Sequence, residues 1–148
     1  MKAIKKNVFY CDYCKKHGLS ASAMKVHESH CTANPNRKCR LCEGGPINDL
    51  IESFKARFEL KTVKYFCEYT EPHEQEIITA IWKNDPVTLD EIRNAVDGCP
   101  NCMLAIIRQC GFNRYYFDDQ FKEFNYKDES RQAFVEKMRE IYNDEGRI

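Results

Sequence analysis

The sequence lacks any long apolar run, and its 148 residues include only six glycines, five prolines and one tryptophan. No segment approaches the roughly 20 apolar residues that a membrane-spanning helix needs, so we expect no membrane partner. Lys2, Lys5 and Lys6 precede no apolar stretch either, which argues against a secretory signal peptide. The length suits one domain, or a small module attached to a larger one, and we predict a cytoplasmic protein.

The nine cysteines do not fit a disulfide framework, because an odd number leaves one thiol unpaired. A chain of this length can also bury a stable hydrophobic core without disulfide bonds. In a reducing compartment, repeated Cys-x-x-Cys pairs indicate metal binding, and we predict two Zn²⁺ ions per chain. Six of the nine cysteines form such pairs: Cys11 with Cys14, Cys39 with Cys42, and Cys99 with Cys102.

The net charge of zero conceals a strong asymmetry along the chain. Residues 1–42 carry nine Lys and Arg side chains against Asp12 and Glu28, a formal +7, whereas the remainder carries 14 basic and 21 acidic side chains, a formal −7. An anionic partner for the basic end is one interpretation, and a basic face packed against an acidic one within the molecule is the other. Both stay open at the level of sequence.

The first predicted zinc site combines a cysteine pair with ligands on a helix. Cys11 and Cys14 are followed after twelve residues by His27. Cys31 lies four residues beyond His27, so the two would share one helix face and complete a tetrahedral ligand set. His30, at a spacing of three, is the alternative fourth ligand.

Residues 9–31 resemble a variant of the two-cysteine, two-histidine zinc finger in which a cysteine replaces the second histidine. Phe9 and Met24 stand where that family places core apolar residues, and Gly18 stands at the position of its middle core aromatic. The longer run 9–42 also resembles an opening module of small uncharacterised phage and prophage proteins. That second resemblance implies work in the host cytoplasm, such as regulating transcription or disarming a defence complex. The C-terminal part resembles no family that we recognise.

The finger is not expected to read a DNA sequence. Family members contact bases from helix positions −1, 3 and 6, which here are Ser20, Ala23 and Val26. Alanine and valine side chains cannot hydrogen-bond a base edge. We therefore predict that Ala23 and Val26 form a small apolar patch for docking on protein.

The pairs Cys39/Cys42 and Cys99/Cys102 are predicted to share a second zinc ion in a site that resembles a treble clef. The latter pair opens a predicted helix, whose N–H groups and dipole stabilise thiolates. Residues 43–98 would then be a helical insertion. Two separate pairs, or a redox dithiol at Cys99/Cys102, are the alternatives, although redox pairs normally follow a strand in a βαβ unit.

The predicted fold class is α+β and mainly helical: a small ββα-like zinc finger followed by a helical domain with the treble-clef-like site. The predicted domains are the zinc finger 1–33, the helical domain 34–112, and an aromatic segment with a C-terminal amphipathic helix at 113–148. Helices are expected to begin at Ser20, with Ser20 or Ser22 as cap, and at Pro46, Pro72, Thr88 and Cys99. Strands are expected at 8–11 and 63–69. Cys67 and Cys110 fall on apolar faces and are predicted to be core thiols.

We expect no enzymatic activity. A zinc deaminase would need His-x-Glu before Pro-Cys-x-x-Cys, but Gln75 follows His73-Glu74, and Gly98 precedes Cys99. A deaminase-like enzyme remains a remote alternative.

The remaining hypotheses concern binding rather than catalysis, with no small-molecule substrate. One is non-specific contact with a nucleic-acid backbone. Arg114, Tyr115 and Tyr116 could add a stacking surface, although core packing is the simpler interpretation of aromatics among acidic residues. The alternative is a protein–protein interaction module that inhibits or regulates a host complex. The candidate phosphate contacts are Lys15, Lys16, Lys25, Arg37, Lys38 and Arg40.

Overall fold

The computed structural model describes residues 1–68, 71, 73–115 and 119–145. Its described residues form five α-helices and two antiparallel hairpins, with a short 3₁₀ helix at Asp119–Glu123. None of the described helices has both the length and the apolar content that a membrane crossing requires. In chain order the elements are β1 (Phe9–Tyr10), β2 (His17–Gly18), α1 (Ala21–His30), α2 (Asn48–Lys55), β3 (Phe58–Cys67), β4 (His73–Trp82), α3 (Leu89–Ala95), α4 (Pro100–Cys110) and α5 (Tyr126–Glu145).

The N-terminal unit has the ββα order that the zinc-finger resemblance implies. β1 pairs with β2 in antiparallel register, and α1 follows directly. The Ser20 hydroxyl accepts a hydrogen bond from the Ala23 amide at 3.2 Å, so Ser20 caps α1 as predicted. The core of this unit is small, because Met24 is buried only against Cys11 and Cys31 and against half-buried neighbours such as Phe9.

The larger core lies where α2, α3 and α4 meet the base of the β3–β4 hairpin. Met103 and Ile106 of α4 are fully buried there, together with Ile92 of α3. Phe112 and Phe121 stack with ring centroids 4.5 Å apart, so this part of the aromatic segment packs into the core. Tyr116, which was considered for a stacking surface, lies outside the described residues.

The predicted helix after Pro72 is wrong, because His73–Trp82 forms β4 and pairs with β3 along ten residues. Ile77, Ile78 and Ile81 fit one face of a helix, but β-branched residues favour an extended backbone when a partner strand is present. β3 supplies that partner, with Val63 opposite Ile77. The segment 43–98 is therefore not a purely helical insertion, and Tyr69 and Pro72 lie outside the described residues.

The helices around the second cysteine pair begin close to the predicted positions. The Thr88 hydroxyl accepts from the Glu91 amide at 3.1 Å and caps α3. α4 starts after Cys99 and stops at Gly111, whose φ of +78° lies in the left-handed region that glycine tolerates. α2 starts two residues later than expected from Pro46. Cys99 and Cys102 therefore occupy the first turn of a helix, as predicted.

Candidate metal centres

The structure brings together the four predicted ligands of the finger, called here the finger site. Their ligand atoms lie within 4.8 Å of one another, and the Cys14 sulfur lies 3.3 Å from His27 Nε2. The turn between β1 and β2 is closed by the Cys11 amide, which donates to the Lys16 carbonyl at 2.9 Å. The finger site consists of Cys11, Cys14, His27 and Cys31.

Backbone N–H groups in this turn point at the ligand sulfurs. The Tyr13 amide donates to Cys11 Sγ and the Lys16 amide donates to Cys14 Sγ, each at 3.4 Å. Such donors stabilise a thiolate, the form in which cysteine binds a metal. The turn is therefore arranged to hold charged sulfur rather than a neutral thiol.

Cys31, rather than His30, completes this set. His30 Nδ1 lies 2.8 Å from the Lys38 carbonyl, and His30 is not a member of either ligand cluster. Cys31 directly follows α1 and is only 3% exposed. The cluster therefore contains Cys31, the residue that the spacing from His27 favoured over His30.

The second cluster, called here the four-cysteine site, joins residues that are 60 positions apart. Sulfur–sulfur distances are 3.7 Å for Cys39–Cys99 and 3.6 Å for Cys42–Cys102. These distances are far from the roughly 2.05 Å of a disulfide. They match the separation of about 3.8 Å that tetrahedral Zn–S bonds of about 2.3 Å impose. The four-cysteine site consists of Cys39, Cys42, Cys99 and Cys102.

Protonation of the thiols depends on burial and on neighbouring sulfurs. Burial raises the pKa of Cys31 to about 11. Hydrogen bonds from Cys102 and Cys99 hold the pKa of Cys39 far below its usual range, whereas Cys39 and burial raise the pKa of Cys102. A metal ion entering either site must therefore displace protons.

Arg37 is not the surface contact to phosphate that we predicted, because its side chain is buried. It is only 2% exposed, and its Nη2 donates to the Asn101 carbonyl at 3.0 Å and to Cys102 Sγ at 3.4 Å. Four thiolates around Zn²⁺ carry a formal −2, and a buried guanidinium beside them offsets part of that charge. The charge pattern of the sequence identified a basic residue but could not show that it faces the protein interior.

The segment between the two sites is hydrogen-bonded to both halves of the molecule. The Lys38 amide donates to the Ser29 carbonyl of α1, and Asn34 Nδ2 donates to the Glu28 carbonyl at 2.7 Å. From α4, Arg108 Nη1 donates to Thr32 Oγ1 at 2.6 Å, and Gln109 donates to the Thr32 carbonyl at 2.9 Å. These contacts cross the predicted domain boundary at residue 33 and fix the finger against α4.

The other predicted contact residues lie at the surface. Ala23 and Val26 of α1 are exposed, Val26 by 51%, so the apolar patch is not packed against the acidic body. Cys110 is a buried core thiol as predicted, whereas Cys67 is only half-buried, because the hairpin extends away from the core. The exposed cations among the six candidates are Lys15, Lys16, Lys25, Lys38 and Arg40.

A groove of about 400 Å³ separates the finger helix from α4. Ala23, Val26 and Lys16 lie along its finger side, and Arg40 and Arg108 lie along its other walls. Sequence reasoning missed Arg108, because it lies far from the basic segment and only the tertiary fold brings it there. In the sequence, Arg108 is marked only as a charged residue on a predicted helix whose other face is apolar.

Protein-family models, curated proteins and solved structures were each compared with this chain, and none matches it. The site geometry therefore carries the functional argument by itself.

Proposed function

We propose that the chain binds two structural Zn²⁺ ions, one in the finger site and one in the four-cysteine site. The observation that supports this proposal is the grouping of two complete sets of four ligand atoms, each within 4.8 Å. Sets rich in thiolates favour zinc over the harder divalent cations. Each set offers four protein ligands, as structural zinc sites do, whereas catalytic sites keep one position open for water. We accordingly propose a non-enzymatic role.

Cobalt substitution tests the ligand sets directly, because tetrahedral Co²⁺ bound by thiolates has visible absorption bands that report its ligands. Titration of the metal-stripped protein should saturate at two Co²⁺ per chain, and zinc should displace both. The variant Cys14→Ser should lose the Co²⁺ of the finger site, and with it the absorption of a three-thiolate set. The variant Cys102→Ser should lose the Co²⁺ of the four-cysteine site, and with it the absorption of a four-thiolate set. Saturation at one equivalent in the unmodified protein would show that one cluster does not bind metal.

We further propose that the zinc-stabilised fold binds nucleic acid without sequence selectivity, through exposed cations of the N-terminal part. Lys15, Lys25 and Lys38 are all solvent-exposed and accessible to a phosphate backbone. Ala23 and Val26 remain poorly suited to base recognition. Affinity should therefore depend on charge and fall steeply with salt.

Fluorescence anisotropy with a labelled duplex at several salt concentrations tests this binding. The slope of log K against log salt should be about −0.9 for each phosphate neutralised. The triple change of Lys15, Lys25 and Lys38 to Gln should abolish measurable binding at low salt. Lys127, Arg131 and Arg139 are exposed on α5, and changing them to Gln removes the same charge as a matched control. Equal losses in the two variants would indicate a net-charge effect rather than a binding face.

A second candidate function is docking on a protein, which the exposure of Ala23 and Val26 favours. In a phage setting, as the sequence resemblance implies, that partner would be a host regulatory or defence complex. Val26→Asp should abolish capture of the partner from nuclease-treated lysate, while the neighbouring Lys25→Asp should preserve it. Because Val26 is about half exposed, its replacement should leave stability within about 0.5 kcal/mol. Unchanged capture by Val26→Asp would remove this candidate.

A further inference from the structure

The groove between α1 and α4 carries cations from three separate parts of the chain. Lys16 comes from the finger, Arg40 from the four-cysteine site and Arg108 from α4. All three are exposed, and buried Arg37 forms part of the same wall. Among the described residues, no carboxylate lines the groove. Its volume of about 400 Å³ falls in the range of about 300–1,000 Å³ that is typical of small-ligand sites.

Each of these cations extends from a structured part of the chain. Lys16 and Arg40 lie beside metal ligands, and Arg108 lies on α4. The Lys16 amide donates to Cys14 Sγ, and Arg40 lies between the ligands Cys39 and Cys42. Arg108 is oriented by its 2.6 Å hydrogen bond to Thr32 Oγ1. The guanidinium of Arg108 and the backbone at Lys16 and Arg40 are therefore in place before a ligand arrives, which reduces the entropy lost on binding.

The zinc thiolates offset most of this positive charge but leave a formal excess of +1. With both ions bound, the finger site has a formal charge of −1 and the four-cysteine site −2, a total of −3. Lys16, Arg37, Arg40 and Arg108 supply +4 around the groove. The two ligand cysteines that line it, Cys31 and Cys39, are 3% and 4% exposed. A solute in the groove therefore meets exposed cations, while the thiolates lie behind them.

Arg37 provides an independent indication that a polar group belongs here. Its Nε is buried and has no hydrogen-bond partner among the described residues, although its Nη2 is engaged with Asn101 and Cys102. A buried donor without a partner is costly, and an anion or water held in the adjacent groove would reduce that cost.

We propose that this groove binds one phosphate-bearing unit of a nucleic-acid strand, with Lys16, Arg40 and Arg108 contacting the phosphate. The proposal rests on the nucleic-acid binding proposed above and adds a specific site to it. Because the contacts come from both metal-binding parts, tight binding requires the two parts to be assembled. The predicted contact set therefore includes Arg108, which the basic N-terminal segment does not contain.

The zinc-loaded protein and three variants test the groove with a labelled single-stranded oligothymidylate. Arg108→Gln removes the charge, and Thr32→Val removes the hydrogen bond to Arg108 while keeping the charge. Arg139→Gln removes an exposed charge of α5 outside the groove and is the matched control. Arg108→Gln should weaken binding about tenfold, since charge-assisted hydrogen bonds are each worth about that factor. The salt slope should also fall by about 0.7, the value for one phosphate of a single strand.

Thr32→Val should weaken binding less than Arg108→Gln, and Arg139→Gln should leave it unchanged. If Arg108→Gln binds like Arg139→Gln while the Lys15, Lys25 and Lys38 variant is inactive, the groove proposal is overturned and the proposed function stands. Melting temperatures and zinc content of the variants show whether the fold is intact.

A second arm separates the groove from the proposed function. Inorganic phosphate is titrated into ¹⁵N-labelled wild-type protein and Arg108→Gln, and amide shifts are followed by NMR. Saturable shifts confined to Lys16, Thr32, Arg40 and their neighbours, and lost in Arg108→Gln, support the groove. If these shifts occur while neither the duplex nor the oligothymidylate binds, the proposed function fails and the groove is a site for a free phosphate-bearing solute. Absence of these shifts together with absence of binding to both nucleic acids overturns both proposals.

Discussion

The two metal centres are built in different ways. The finger site is assembled by local sequence, because its four ligands lie within one β-turn-β-α unit. The four-cysteine site joins segments 60 residues apart and adjoins the main core through Ile47 and Val96. Among the described residues, the finger has few buried apolar side chains of its own, whereas the four-cysteine site is next to a core of eleven. We therefore expect the finger to require its metal in order to fold. At the four-cysteine site, metal should add stability to a region that apolar packing already holds.

Removal of both metals should produce the largest difference in stability between the two regions. Structural zinc contributes on the order of 10 kcal/mol or more in finger peptides, which lack another source of stability. In strong chelator, α1 should lose its helical NMR shifts and its amide protection. The amides of Met103 and Ile106 should stay protected, because apolar packing holds α4. Equal loss of protection in α1 and α4 would show that the finger is not the more metal-dependent region.

Arg37→Met is expected to have the next largest effect and to act on the four-cysteine site. Removing the buried guanidinium leaves the negative charge of the thiolate cluster without its neighbouring cation. Such a loss typically costs about 3–5 kcal/mol of stability. Zinc should transfer to a competing chelator more readily from this site than from the finger site. Arg40→Met, an exposed neighbour, is the matched control and should change little. Similar zinc release from the two variants would contradict the role given to Arg37.

The same contrast explains which features the sequence could predict. The finger set was predictable because Cys-x-x-Cys spacing and the His27-to-Cys31 interval encode local geometry. The two halves of the four-cysteine set were recognisable as pairs, but their meeting across 60 residues is a property of the tertiary fold. The strand at 73–82 was missed because its isoleucines fit a helix face as well as a strand, and only pairing with β3 decides. Arg37 was expected at the surface and is buried, whereas Arg108, for which nothing was expected, lines the groove. Burial of a charge is a property of the tertiary fold, which the charge pattern does not record.

The smallest expected effects come from the two helix caps. Ser20→Ala removes the cap of α1, and Thr88→Ala removes that of α3. Each change should cost about 1 kcal/mol. Thr88→Ala should lower the melting temperature of the main core, whereas Ser20→Ala should lower zinc affinity at the finger site and leave the core transition in place. A shift of the core transition in both variants would indicate a single cooperative unit.

Zinc content measured on purified protein tests the central claim most directly. Two zinc per chain are expected in the unmodified protein. One is expected in Cys14→Ser and in Cys102→Ser, each variant losing the ion of its own site. A folded, unmodified protein with no bound zinc, or a ratio of one that neither substitution changes, would contradict the assignment of two independent four-ligand centres.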